Sequence, residues 1–433
     1  MRYSFVIGVL FCLAFNSCIE IPNKFSSIPP GVWRATLELD NTPFAGVEDE
    51  VTRGGMDGDV LPFLMEVKYD EDQSFYIEII NGEERIEVRD IRYGRDKATA
   101  KDTLWIDFPV FDSYIKAIYE ENIMEGEWHI NFRDNYAIPF KAYFGQDHLF
   151  TTDQETPVTN MTGRWEATFE LETDDPYPAI GDFEMEGTDL SGTFLTETGD
   201  YRYLNGQMID DKFYMSTFDG AHAFLFKGKI MDDGSITGVF RSGTHYTTNW
   251  VAKRNSEATL KDPFELTRML DDSEPISFSF TNTEGIEVTL DDEVYQGKIK
   301  LVQIMGTWCP NCKDETMFLQ EYAMTQETDE VELISIGFEK YKEKSKAIDR
   351  LKIFKDKWNI DWEVLYGGLS DKAEASKTFP MLNEITSYPT LLFIDQNNMV
   401  RKVHTGFSGP ATDGYESFKK EFYATIGLLK ANT

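Results

Sequence analysis

The chain has 433 residues, of which 41% are hydrophobic and 14% aromatic. This length exceeds what one hydrophobic core usually organises, and the composition excludes a disordered or fibrous chain, so we expect several globular domains. The formal net charge of −34 repels polyanions and therefore argues against nucleic acid as a partner.

The first 17 residues have the pattern of an export signal. Arg2 precedes an apolar run over residues 4–15, which is long enough for a signal peptide and short for a membrane span. The run ends in Phe15-Asn16-Ser17-Cys18, which resembles the box at which bacterial lipoproteins are cleaved and acylated. We therefore predict a lipoprotein signal peptide over residues 1–17, a lipid anchor on Cys18 and a tether over residues 18–30. The protein would lie in the cell envelope on the periplasmic face of the inner or outer membrane; the alternative is a secreted protein with an unmodified Cys18.

An internal repeat follows the tether. Residues 31–39 match residues 163–171, with Trp at the third position and Ala-Thr at the fifth and sixth positions of both copies. Further along, Phe111-Asp112 is matched by Phe218-Asp219. Matches in the same order predict two related modules, in which the shared residues serve the core and the turns.

The strand pattern is clearest in the second module, residues 160–254. Six of its segments largely alternate polar and apolar side chains, and turns rich in Asp and Gly separate them. These segments are residues 190–198, 200–209, 212–218, 223–231, 235–241 and 247–253. Short strands of this kind predict an antiparallel barrel or sandwich, both here and in the related module over residues 31–150. Because the modules contain no cysteine and their histidines do not recur at matching positions, we expect them to position the rest of the protein rather than to catalyse.

The pattern changes after the second module. A polar, acidic linker covers residues 255–275, with one short helix predicted over residues 264–270. Residues 276–433 then alternate between strand and helix patterns. The predicted strands cover residues 276–280, 286–290, 299–305, 331–338, 362–365, 390–394 and 400–404, and the predicted helices cover 310–326, 343–358, 371–378 and 415–428. This order predicts an α/β domain with a central sheet flanked by helices.

The remaining cysteines are the strongest chemical signal. Once Cys12 leaves with the signal peptide and Cys18 carries lipid, Cys309 and Cys312 are the thiols that are left, which excludes a scaffold held by disulfides. Two cysteines separated by two residues, where an apolar strand turns into a helix, are typical of a redox-active disulfide. The amides and the dipole at the helix start favour a thiolate on Cys309. We therefore predict that Cys309 is the exposed, attacking thiol and that Cys312 is the buried thiol that resolves the mixed disulfide.

Several segments of residues 276–429 point to one family. The motif Trp308-Cys309-Pro310-Asn311-Cys312 follows a strand segment at residues 297–302, and residues 405–409 form a closing turn. On these residues the domain resembles the thioredoxin-like thiol-disulfide oxidoreductases of the TlpA and ResA type. The resemblance implies that Glu315 acts beside the thiols, and that Tyr388-Pro389 is a cis peptide facing the cysteines. It also implies that Trp308, Tyr388 and Pro389 contact the substrate.

Three of these residues have a second interpretation. Pro389 is either the cis-proline that faces the cysteines or an ordinary trans proline at the start of a strand. Glu315 is either buried, with a raised pKa that lets it carry a proton for the thiols, or a solvated acid favoured by the helix dipole. Gln303 lies near the strand position at which thioredoxins carry a buried acid, which would leave proton transfer to Glu315. Trp308 either shields the sulfurs or is an ordinary core residue.

The resemblance implies an enzyme that exchanges thiols and disulfides outside the cytoplasm, in the reducing direction and without a cofactor. Its partners would be envelope proteins that carry disulfides and a membrane redox protein. The lack of a second ligand pair argues against zinc, His404 as the domain's one histidine argues against copper, and the nearby Cys312 argues against a peroxidase. The alternative from another class is an envelope surface binding protein whose β modules capture a ligand or partner while the redox domain is accessory.

Overall fold

The computed structural model of this protein describes residues 28–39, 59–72, 74–152, 157, 159–271, 274–325 and 330–431. The predicted signal peptide, the lipid-anchor residue Cys18 and most of the tether lie outside the described residues. Within these ranges the chain forms three sheets of nine, nine and seven strands. Two antiparallel sheets precede a mixed sheet with helices, which confirms the predicted order of two β modules and one α/β domain.

The first sheet is antiparallel throughout and begins directly after the tether. Its strands are β1 (Gly31–Glu38), β2 (Val60–Tyr69), β3 (Phe75–Asn81), β4 (Glu84–Val88), β5 (Ile91–Arg95), β6 (Asp102–Phe108), β7 (Ser113–Glu120), β8 (Ile123–Ile130) and β9 (Ala137–Phe144). They lie in the order β4-β3-β2-β1-β9-β8-β7-β6-β5, so the first strand pairs with the last. The sheet is therefore a barrel that is open between β4 and β5.

The second sheet closes on itself. Its strands are β10 (Gly163–Phe169), β11 (Tyr177–Glu186), β12 (Asp189–Thr196), β13 (Gly199–Asp200), β14 (Leu204–Ile209), β15 (Lys212–Phe218), β16 (Ala223–Ile230), β17 (Ile236–Ser242) and β18 (Tyr246–Arg254). When β1 is matched with β10 and β9 with β18, the strands follow the same order as in the first sheet. Strand β12 pairs with both β11 and β14, which closes the barrel. The two copies of the Phe-Asp landmark lie at equivalent connections: Phe111-Asp112 in the turn between β6 and β7, and Phe218-Asp219 where β15 turns toward β16.

The two modules share a core. Phe218 of the second module is fully buried among aromatic rings of the first, with ring centroids 4.5 Å from Phe63, 5.8 Å from Phe108 and 5.1 Å from Trp128. Aromatic pairs at these separations add stabilisation beyond the area they bury. Because a residue of one barrel completes the interior of the other, the modules form one packed unit.

The third sheet carries helices. Its strands are β19 (Ser279–Asn282), β20 (Glu287–Thr289), β21 (Ile299–Met305), β22 (Val331–Glu339), β23 (Glu363–Leu369), β24 (Thr390–Ile394) and β25 (Val400–Thr405), in the order β20-β19-β23-β22-β21-β24-β25. The helices are α1 (Pro263–Leu266) before the sheet, then α2 (Pro310–Met324), α3 (Lys344–Lys357), α4 (Lys372–Thr378) and α5 (Gly414–Ala431). Strands β21, β22 and β23 are parallel to one another. Strand β24 runs antiparallel to β21, and β25 runs antiparallel to β24. None of the described helices is long and apolar enough to span a membrane.

Three predicted elements differ from the structure. The strand predicted over residues 276–280 begins only at Ser279 as β19, because Ile276 N donates instead to Asn398 O at 2.8 Å. The helix predicted over residues 264–270 is a single turn, because Thr267 is extended and its backbone N–H donates to Thr405 Oγ1 at 3.1 Å. The strand predicted over residues 200–209 is broken into β13 and β14. Arg202 lies between them with a left-handed φ of 62°, which lets its side chain turn into the interior.

The α/β domain also packs on the first module. Val110 of that module is buried within the core of the α/β domain. Arg350 of α3 lies 3.0 Å from Asp112 and donates to Pro109 O at 3.1 Å. The second module contacts the α/β domain as well, since Ser387 Oγ donates to Thr198 O at 2.8 Å and Asn311, between the two cysteines, donates to Asp200 O at 3.2 Å. All three units therefore contact one another, and the dithiol lies close to their junction.

Candidate active site

The dithiol lies where β21 passes into α2. Every residue of β21 is buried, so the strand is held in register up to the turn that carries the motif. Cys309 is the N-cap of α2 and Pro310 is its first helical residue, a position at which proline's missing donor costs nothing. The Cys312 backbone N–H donates to Cys309 Sγ at 3.2 Å. A helix amide and the positive end of the helix dipole are thus aimed at the Cys309 sulfur.

The two thiols differ in burial, although less than we expected. Cys312 is fully buried, and that burial, followed by its contact with Cys309, raises the pKa of its thiol well above the usual value. Cys309, predicted to be exposed, has an exposed fraction of 8%. Its Sγ donates to Tyr388 O at 3.6 Å, which closes the site from the opposite side. The expectation of an exposed Cys309 was therefore wrong, because packing from other elements covers it.

The segment before β24 faces the dithiol, as the family resemblance implies. The Tyr388–Pro389 peptide bond is cis, and the Tyr388 carbonyl points at Cys309. The Tyr388 ring meets the Trp308 ring edge-on at 5.7 Å. Trp308 is half-buried, and its indole N–H donates to Phe338 O at 2.9 Å. The structure thus brings Trp308, Tyr388 and Pro389 together around Cys309.

Glu315 is buried one turn below the cysteines. No part of its side chain reaches solvent, which excludes the solvated alternative, and burial raises its pKa to about 8. Gln303 Nε2 donates to Glu315 Oε2 at 2.9 Å and to Cys312 O at 3.1 Å, while Glu315 Oε1 has no hydrogen-bond partner among the described residues. Gln303 therefore orients Glu315 beside Cys312 and leaves one oxygen available for a proton.

Sequence reasoning missed two further charged residues, at the end of β22. Glu339 accepts from Thr307 N at 3.0 Å and from Thr307 Oγ1 at 2.9 Å, and burial raises its pKa to about 7. Lys340 Nζ lies 3.5 Å from the centre of the Trp308 ring, and burial lowers its pKa to about 8. The sequence signal that could have found them is a pair of charged residues at the end of an apolar strand. Because the carboxyl ends of parallel strands lie at one edge of a sheet, this pair was a candidate for the edge that carries the dithiol.

The second module contributes a docking turn, residues 198–202, to the site. Asn311, between the two cysteines, donates from Nδ2 to Asp200 O at 3.2 Å. Gly409 N donates to Asp200 Oδ2 at 2.7 Å, and Ser387 Oγ donates to Thr198 O at 2.8 Å. The docking turn therefore contacts the dipeptide between the cysteines, the segment before the cis-proline and the turn after β25.

An ion cluster holds the docking turn in place. Arg202 is 5% exposed and pairs with one carboxylate from each unit: Glu84 of the first module, Asp219 of the second and Asp314 of α2. A buried guanidinium needs such partners, because desolvating an isolated charge is costly. The first turn of α2 is therefore joined directly to both modules.

The described residues offer no arrangement suited to a metal. Within them, no group of three or more His, Cys, Asp or Glu side chains could hold an ion. His404 is buried with its ring 4.9 Å from Phe264 and 4.8 Å from Phe418, and burial lowers its pKa to about 4. This histidine packs as a neutral core residue.

Comparisons with known proteins agree with this geometry. The AhpC/TSA family matches residues 273–403, less than half of the chain. Among curated proteins no sequence matches significantly. Together with the mixed sheet and its helices, the family match identifies the C-terminal unit as a thioredoxin-like domain, as the resemblance implied.

Solved structures similar to this unit include three bacterial proteins. A thiol-disulfide oxidoreductase from Bacteroides fragilis is 16% identical, covers 33% of this chain and 97% of its own, and has a TM-score of 0.25. StoA from Bacillus subtilis is 19% identical, with coverages of 34% and 96% and a TM-score of 0.25. The exposed lipoprotein thioredoxin of Streptococcus pneumoniae is 23% identical, with coverages of 34% and 99% and a TM-score of 0.25.

Proposed function

We propose that this protein is an extracytoplasmic thiol-disulfide oxidoreductase that reduces disulfides of cell-envelope proteins through Cys309 and Cys312. The observation that carries the proposal is the placement of the Cys309 sulfur. This sulfur accepts a hydrogen bond from the backbone N–H of Cys312 and faces the carbonyl of Tyr388, which precedes the cis-proline. Such a site activates one thiol and provides a backbone group for an extended substrate.

The first step forms a mixed disulfide. The Cys309 thiolate attacks one sulfur of the substrate disulfide, so that a bond forms between Cys309 and the substrate while the substrate S–S bond breaks. The electron pair of the broken bond leaves on the second substrate sulfur, which takes up a proton. The helix amide that contacts Cys309 Sγ stabilises the attacking thiolate.

The second step releases the reduced substrate. Cys312 loses its proton and attacks Cys309, which forms the Cys309–Cys312 disulfide and expels the first substrate sulfur as a thiol. Burial raises the pKa of Cys312, so this step requires a nearby base. Glu315, buried beside it with a pKa of about 8 and one unpartnered oxygen in the described structure, serves as that base. A membrane redox protein would then return two electrons to the disulfide.

A cysteine variant tests this proposal against a pure binding role. The mature chain, reduced beforehand, should cleave the disulfides of insulin, and Cys309→Ser should abolish that activity. Cys312→Ser is the matched control, because it keeps the attacking thiol and should accumulate a mixed disulfide detectable by mass spectrometry. Equal activity in Cys309→Ser and the unaltered protein would overturn the proposal and favour a surface binding protein.

A further inference from the structure

A groove at the junction of the three units borders the dithiol. It encloses about 410 Å³ and is lined by Phe132 and Arg133 of the first module, Tyr201 and His245 of the second, and Trp308 and Lys340 of the α/β domain, among others. Its volume is within the range of about 300–1,000 Å³ that is typical of ligand sites. Trp308 forms both the wall of the groove and the flank of Cys309, so an occupant of the groove lies beside the reacting sulfur.

The groove has the opposite charge to the rest of the protein. The chain carries 76 Asp and Glu residues against 42 Lys and Arg, yet the groove is lined by the cations Arg133 and Lys340 and by no described acidic residue. His245 also lines it, and burial lowers the pKa of this histidine to about 4, so it adds no positive charge at neutral pH. His222, at the edge of the groove, lies 3.3 Å from Asp219. A basic site on an acidic molecule attracts an anionic group to one place and repels it elsewhere.

Neither Arg133 nor Lys340 has a carboxylate partner in the described structure. Arg133 Nε is buried without a hydrogen-bond partner, and its guanidinium faces only the rings of Phe132 and Tyr136, at 5.8 Å and 5.5 Å. Lys340 lies over the Trp308 ring and forms no ion pair among the described residues. Elsewhere in the molecule the buried guanidinium of Arg202 pairs with three carboxylates. The groove therefore holds desolvated positive charge that an anionic ligand would neutralise.

The docking turn restricts the other approach to the dithiol. It contacts Asn311 and Ser387, and Gly406 approaches it so closely that a Cβ there would lie 2.9 Å from the Thr198 carbonyl carbon. The side of the dithiol formed by Trp308 and Lys340 faces the groove instead. A substrate segment that reaches Cys309 thus extends along the groove.

We propose that this groove binds the substrate itself, and that it selects disulfides in which an acidic residue flanks the cysteine. The carboxylate would pair with Arg133 and Lys340, while apolar neighbours pack on the aromatic wall formed by Tyr201, Phe224 and Phe240. This inference rests on the proposed function and adds the substrate class. The residues that confer specificity come from the first module and from the end of β22, so the β modules take part in recognition.

The test compares two synthetic peptides, each with one internal disulfide, that are identical except for Glu or Gln beside a cysteine. The reduced mature protein is mixed with each peptide, and the second-order rate constant is measured by acid quench and mass spectrometry. We expect the Glu peptide to react on the order of tenfold faster, since a charge-assisted hydrogen bond has about twice the strength of a neutral one. Arg133→Gln and Lys340→Gln should each bring the ratio of the two rates close to one.

Matched controls keep the test specific. Arg95→Gln and Lys342→Gln remove exposed cations of the first module and of the segment after β22, outside the groove, and should keep the ratio. In the unaltered protein the ratio should fall when ionic strength rises from about 0.05 M to about 0.5 M, a measurement that needs no variant. Equal rates for the two peptides, or a ratio retained in both groove variants, would overturn the proposal. Failure to react with either peptide or with hydroxyethyl disulfide would instead overturn the proposed function.

Discussion

At the scale of single residues, the two cysteines are distinguished by their surroundings. Cys312 is fully buried with a raised pKa, whereas the Cys309 sulfur contacts a helix amide and keeps some exposure. We expect iodoacetamide to modify Cys309 first in the reduced protein at neutral pH, and peptide mapping after short pulses measures the order. Faster modification of Cys312 would reverse the assigned roles.

The position of Glu315 beside Cys312 predicts how the rate of mixed-disulfide resolution depends on pH. If its carboxylate accepts the Cys312 proton, the rate of mixed-disulfide resolution should rise with pH up to its pKa of about 8. Glu315→Gln should lower that rate about a hundredfold, a usual contribution of a general base, and should remove the rise near pH 8. Single-turnover release of a fluorescent thiol reports the rate. A variant with an unchanged pH profile would assign Glu315 a purely structural role.

Stability gives an independent readout for the same residue. Between about pH 4.5, the ordinary pKa of Glu, and about pH 8, the folded protein keeps a proton on Glu315 that the unfolded chain has released. The free energy of unfolding therefore falls with rising pH in this window, by at most about 1.4 kcal/mol per pH unit from this group. In Glu315→Gln the free energy of unfolding, measured by urea titration at pH 5 and at pH 8, should fall less between these two pH values. An identical pH dependence in the variant would show that the carboxyl is not buried as described.

At the scale of elements, the docking turn is the feature that separates this site from a bare thioredoxin-like domain. Gly199 has a φ of +136°, and a Cβ there would lie 2.4 Å from Asn311 Nδ2. Gly199→Val should therefore displace the turn and increase the rate at which Cys309 is alkylated. Gly187→Val is the matched control, since Gly187 also has a positive φ of +64° but a Cβ there would meet no atom within 4 Å. Equal alkylation rates in both variants would mean that the turn does not limit access.

The Arg202 cluster explains why that turn lies where it does. Strand β13 has two residues, too few to hold a turn against another domain by main-chain pairing alone. The Arg202 side chain instead joins carboxylates from all three units. A buried charge network of this kind specifies one arrangement of the units, because any other arrangement leaves a desolvated charge unpaired.

At the scale of the whole molecule, the modules and the redox domain are more interdependent than the repeat suggested. Phe218 completes the first barrel, and Val110 completes the core of the α/β domain. A fragment that begins at Ile276 would lose both Val110 and the docking turn. Full-chain variants therefore test the role of the modules more directly than truncation does.

The membrane anchor is the remaining whole-molecule prediction. Lipidated Cys18, outside the described residues, should hold the protein on a membrane, because a mature lipoprotein carries more than one acyl chain and anchors stably. We expect Cys18→Ala to move the protein from the membrane fraction to the soluble fraction. Cys12→Ala, within the predicted signal peptide, is the control and should leave the distribution unchanged. Membrane association that persists in Cys18→Ala would rule out the lipid as the anchor.

Sequence alone determined the local features of this protein. Strands β21 and β24 and the start of α2 were predicted to the residue, because apolar runs, a helix-initiating proline and the Cys-x-x-Cys spacing are signals within a few positions of one another. The repeat of Trp33 and Trp165 predicted two modules for the same reason. The cis peptide at Pro389 followed from resemblance rather than from local pattern.

Only the tertiary structure decided how these pieces meet. Asp200 lies 111 positions from Asn311 and Arg133 lies 175 positions from Trp308, and no periodicity links such distant residues. The burial of Glu315 and of Cys309 likewise depends on packing from other elements, which a first-turn position does not reveal. Chemistry at a dithiol is set by spacing along the chain, whereas access, charge and substrate choice are set by surfaces that come together only on folding.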